Sequence, residues 1–122
     1  MSTTNIEQLV QQFVAVWNET DEQRRREDVR ALWTSQGRHL MGPHDVRGHD
    51  ALVERVTASH RRSAEGGCVF RPATSIQLLP GVAKFRWDMA RRSTGKVVSA
   101  GVGFLLLSVD GRIECDCLFT ES

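Results

Sequence analysis

Ile6, Leu9, Val10, Phe13, Val14 and Trp17 recur at three- and four-residue spacing. That is the apolar stripe of a helix running from about Thr4 to Asn18. Thr20 followed by Gln23 resembles a capping box opening a second helix, with Val29, Leu32 and Trp33 inward, its arginines outward and Gly37 as its stop. Arg38 to Met41 reads as a short strand, and Gly42-Pro43-His44-Asp45 as a turn. Leu52, Val53 and Val56, with His60 beside them, form the apolar side of a third helix from about Asp50 to Arg62.

After Gly66-Gly67 the period changes from helical to alternating. Strands are expected at about 68–78, 82–91, 96–108 and 112–120, broken by Pro80-Gly81, Ser93-Thr94-Gly95 and Asp110-Gly111. The last two turns suit tight hairpins, so the strands they join should be antiparallel. The order is helix, helix, strand, helix and then four strands. This is an α+β domain in which three helices cover one face of a curved sheet, and residues 1–122 form one such domain.

The segment Val97 to Leu107 is apolar on both sides. Such a strand needs cover on both faces. The helices supply one cover, and a second copy of the chain is expected to supply the other, giving a homodimer through the outer sheet face.

Composition narrows the partners. A net charge of +1, with acids interleaved among the arginines, offers no basic stripe for nucleic acid. The longest apolar run, Val102 to Leu107, is too short to span a membrane, and Met1 to Gln8 does not read as a secretory signal. Three cysteines without such a signal fit reduced thiols in a cytoplasm. Neither the Cys115-x-Cys117 pair nor the scattered histidines has metal-site spacing, so no metal and no cofactor are expected.

Several segments together resemble SnoaL-like proteins. They are Leu32-Trp33-Thr34-Ser35-Gln36-Gly37-Arg38-His39, Val46-Arg47-Gly48-His49-Asp50-Ala51-Leu52, Phe85-Arg86-Trp87 and Val109-Asp110-Gly111-Arg112-Ile113. The resemblance covers nearly the whole chain. It implies the nuclear transport factor 2-like fold, a cone of three N-terminal helices on a curved antiparallel or mixed sheet around a pocket. The family includes polyketide cyclases, ketosteroid isomerases, epoxide hydrolases and non-catalytic binding proteins, so the resemblance implies a pocket rather than a reaction.

A local likeness to limonene-epoxide hydrolases rests on Arg86-Trp87-Asp88 and Thr94-Gly95. It implies an acid at Asp88 set by Arg86. That family's second aspartate would fall on Leu118, and its water-positioning tyrosine and asparagine on His39 and Met41. His39 and Asp116 are the remaining groups able to activate water. Strand alternation offers two arrangements for residues 85–89: Arg86 and Asp88 on a solvated face, or both in the cavity with Trp87 outside. The basic aspartate of a ketosteroid isomerase would fall near Met41 or Gly42, and the chain has no tyrosine, which argues against that chemistry.

The expected pocket lining is Phe13, Trp17, Trp33, Met41, His60, Trp87, Phe104 and Leu118, a largely apolar set suited to a small hydrophobic molecule. The functions in view are cofactor-free acid–base catalysis on such a molecule, or non-catalytic binding.

Overall fold

The computed structural model describes residues 3–121, and side chains from residue 5 onward. Met1 and Ser2, where the N-terminal reading begins, lie outside them. Helix α1 (Thr3–Val16) is followed by α2 (Glu22–Leu32), strands β1 (Trp33–Met41) and β2 (His44–Arg47), and α3 (His49–Glu65). Five strands complete the chain: β3 (Cys68–Phe70), β4 (Thr74–Leu79), β5 (Val82–Arg91), β6 (Val97–Leu107) and β7 (Ile113–Glu121).

Local chemistry explains most boundaries. The α2 cap is Asp21 rather than Thr20. Its carboxylate accepts from the backbone N–H of Gln23 and Arg24, which satisfies two donors at the helix start. Gly42, at φ 55°, makes the turn after β1 short enough that His44 to Arg47 pairs back on β1 as a strand, where turn chemistry alone was expected. The expected strand over 68–78 is divided in two. Pro72 has no N–H to give a ladder, and residues 71–73 leave the sheet. Gln11 holds the break by donating to the Ala73 carbonyl and accepting from its N–H.

The sheet runs β2-β1-β7-β6-β5-β3, with β4 also on β5. Only β1 and β7 are parallel among the described pairs. This strongly curled, mixed sheet wraps a core of Val10, Phe13, Val29, Trp33, Leu52, Val56, Phe85, Leu105 and Ile113 beneath the three helices.

Two irregularities set which side chains face inward. On β7, Leu106 pairs with Cys115 but Leu107 with Ile113, so Glu114 is an extra residue. Such a bulge reverses the alternation. Ile113 therefore lies inside with Asp116 and Leu118, whereas plain alternation groups it with Cys115, Cys117 and Phe119. A second shift lies between Trp33 and Arg38 on β1, after which His39 pairs with Asp116 and Met41 with Leu118.

Gly103 lets the inner face close. A Cβ there would stand 2.4 Å from Phe85 Cζ and 2.9 Å from Leu118 Cδ2. Gly103→Ala should cost about 1–3 kcal/mol in urea unfolding. A loss under about 0.5 kcal/mol would show that the Phe85 ring yields freely.

Candidate functional site

Inward-facing positions on β1 and β7 meet under the helices. Their parallel pairing puts His39 beside Asp116 on the concave face, with His39 Nδ1 2.6 Å from Asp116 Oδ2. Both side chains are 0% exposed. Trp33 Nε1–H donates to the other carboxylate oxygen, Oδ1, at 3.0 Å. The imidazole also packs on Trp17, with ring centroids 5.0 Å apart.

Burial pushes the Asp116 carboxyl above its ordinary range, while the hydrogen bonds from His39 and Trp33 and the His39 charge pull it back. With Asp116 ionised and the imidazole neutral, His39 Nδ1 carries the proton and donates it to Oδ2. Nε2 is then left with its lone pair. With Asp116 protonated, the imidazole tautomer inverts. Nε2 is buried and has no hydrogen-bond partner.

A cavity of about 320 Å³ lies beside this pair, between α3 and the concave sheet. Met41 and Leu118, each two residues along its strand from the pair, line it with Trp17, Phe70 and Met89. The α3 side contributes Arg55, Ser59, Arg62 and Ser63, and Cys68 follows at the start of β3. Trp17 packs on the imidazole and also lines the cavity. Four buried side-chain polar atoms among the described residues lack a partner; Trp17 Nε1 and Arg55 Nε belong to lining residues, and His39 Nε2 to the ring packed on Trp17. A groove of about 470 Å³ between α1 and residues 70–72 contains no titratable group, and its Gln11 and Asn18 already bond the Ala73 and Phe70 backbone.

The sequence candidates divide accordingly. Trp17, Met41 and Leu118 line the cavity, with His39 and Asp116 beneath them. Arg86 and Asp88 do not. Alternation on β5 commits Phe85 and Trp87 to the core, so Arg86 and Asp88 point outward, where they pair with Glu121 and Arg71. The Arg71 hydrogen bond and charge hold the Asp88 carboxyl below its ordinary range. The geometry implied by the epoxide-hydrolase likeness is therefore absent.

Phe104 is on the outer face as well, against Phe119, because Leu105 takes the inward position on β6. His60 turns toward α2, where its Nδ1 lies 3.3 Å from the Arg25 guanidinium, because it sits one helical position beyond the cavity-facing Ser59. Phe13 and Trp33 are core, and Trp87 packs on Phe70 without reaching the cavity. Arg55 and Arg62 were missed. Their seven-residue spacing on the inner side of α3 was the available signal. His49, at the start of α3, donates from Nε2 to the Trp33 carbonyl at 2.9 Å.

No group of three or more potential metal-ligating side chains is found among the described residues. No described helix is long and apolar enough to cross a membrane.

No family model matches the chain, and no curated protein matches it in sequence. Solved structures do. A SnoaL-like family protein from Agrobacterium tumefaciens, described as a candidate isomerase, superposes with a TM-score of 0.89 at 23% identity, covering 98% of this chain and 100% of that one. A protein of unknown function from Exiguobacterium, described as nuclear transport factor 2-like, gives 0.72 at 14% identity over 93% and 98%. The chain has the nuclear transport factor 2-like fold. A candidate polyketide cyclase from Sinorhizobium meliloti shares that fold, with a TM-score of 0.70 at 14% identity over 99% and 100%. Among nuclear transport factor 2-like structures of such low identity the likeness carries the fold, and the chemistry must come from the residues.

Proposed function

We propose that the chain is a cofactor-free acid–base enzyme, of the cyclase or isomerase type, acting on a small hydrophobic molecule in the α3-side cavity. The observation that carries this reading is the buried chain Trp33–Asp116–His39 ending in an unpartnered Nε2. Asp116 holds the imidazole with its proton on Nδ1, and Nε2 takes a proton from the substrate. The ligand reaches Nε2 by displacing the Trp17 ring.

5-Nitrobenzisoxazole tests this without a native substrate, because loss of its ring proton to a positioned base breaks the N–O bond and releases a coloured nitrophenolate. The protein should turn it over faster than the same concentration of free imidazole. Turnover no faster than imidazole would remove the base.

A second reading, non-catalytic binding, is favoured by the complete burial of His39 Nε2. It predicts ligand-induced rises in melting temperature without turnover.

We further propose that a second copy covers the outer face, where Val102, Phe104, Leu106 and Phe119 form an apolar surface and Phe119 is 58% exposed. Light scattering should show a dimer that Phe119→Glu converts to a monomer. A wild-type monomer at micromolar concentration would remove this proposal. The three unpaired cysteines support a reducing, cytoplasmic setting.

A further inference from the structure

The cavity's polar lining is one-sided in charge. Arg55, Ser59, Arg62 and Ser63 fall on one face of α3, and Arg55 is half-buried while Arg62 stands at the mouth. The six ion pairs among the described residues involve Arg24, Arg30, Arg38, His39, Arg71 and Arg86, but neither cavity arginine. Two of the unpartnered buried atoms belong to lining residues, Arg55 Nε and Trp17 Nε1, and both can only donate. Facing them are apolar groups of Trp17, Met41, Phe70, Met89 and Leu118.

The electrostatics agree with this reading. Burial and then the Arg62 charge push the Arg55 guanidinium below its ordinary value, and only Asp116 opposes them. His44, at the start of β2, is also pushed down, by Arg55 first, then by burial, His39 and Arg62. Buried donors without acceptors and a half-buried cation without an ion-pair partner are both costly, and an anion on Arg55 relieves both at once.

We propose that this cavity binds a small carboxylic acid as its anion, with the carboxylate on Arg55 and Arg62 and the hydrophobic body against Trp17, Phe70, Met41, Met89 and Leu118. This deepens the pocket reading and rests on it. A planar carboxylate matches the fork of a guanidinium, and the apolar wall takes the remainder. Bound this way, the ligand's body lies over Trp17 and the floor residues flanking His39 and Asp116.

The test compares 2-naphthoate with 2-naphthylmethanol, which has the same body without the charge, by calorimetry on the full chain. Naphthoate should bind more tightly, by about tenfold or more. Arg55→Gln and Arg62→Gln should each weaken naphthoate by about tenfold while leaving the alcohol little changed. Arg62 is exposed, so its variant keeps the test valid should Arg55→Gln fail to fold. The His44 imidazole should titrate at higher pH in the naphthoate complex than alone, because the anion offsets Arg55 and Arg62.

Equal binding of both compounds would overturn the carboxylate assignment while sparing the pocket. Binding of naphthyl phosphate but not naphthoate would overturn the ligand class. Failure of every probe to bind would overturn the pocket reading itself.

Discussion

Replacing Asp116 alone with leucine should destabilise the protein by about 3–5 kcal/mol, because it strands an imidazole and an indole N–H in the core. For a chain of this size that is a fall of roughly 10–20 °C in melting temperature. His39→Leu should cost less, because the remaining carboxyl can take up a proton and keep its bond from Trp33. The double variant should lose clearly less than the sum of the two, since a buried polar pair replaced by apolar groups of similar size is close to neutral. Additive losses in urea unfolding would mean that the two residues act independently.

The pH dependence follows with a definite sign. Burial raises the folded pKa of Asp116 above its unfolded value, so the folded state holds the proton more tightly. The resulting stabilisation is complete below the unfolded value, near about 3.9. It is lost as pH rises through the folded value. In His39→Leu, which removes groups that lower Asp116, this loss should extend to higher pH, and His39→Leu/Asp116→Leu should lack it.

The second large effect is on proton transfer. Asp116→Asn should keep the fold, since the amide can still accept from Trp33 and can donate to His39 Nδ1. That donation forces the imidazole proton onto Nε2 and removes the base. Benzisoxazole turnover should fall about 10²–10⁴-fold, and His39→Gln should fall as far. Turnover unchanged in Asp116→Asn, with a melting temperature near wild type, would show that the carboxylate does not set the tautomer.

Much of the fold was legible because it follows from local periodicity. The stripe from Ile6 to Trp17, the alternation of Phe85, Trp87 and Met89, and the hairpin turns at Thr94-Gly95 and Asp110-Gly111 each carry their own signal. The site was less legible because it depends on register. His39 and Asp116 are 77 residues apart and meet through a parallel pairing. Whether Asp116 faces inward depends on the extra residue at Glu114, which regular alternation does not reveal.

Arg86 and Asp88 illustrate the opposite error. A local motif likeness suggested chemistry, but the buried Phe85 and Trp87 on the same strand already required them to face outward. Pro72, inside the expected 68–78 strand, was a readable sign of the break between β3 and β4. Arg62 falls in the Arg61-Arg62 run, which reads as an ordinary solvated pair, so only the seven-residue spacing of Arg55 and Arg62 marked the cavity arginines.

The ring nitrogens of His39 give the most direct test. Long-range proton–nitrogen spectra of ¹⁵N-histidine-labelled protein at neutral pH should show His39 protonated at Nδ1 and bare at Nε2, and Asp116→Asn should invert that pattern. A wild-type imidazole protonated at Nε2 would contradict the assignment of His39 as a base held ready by Asp116.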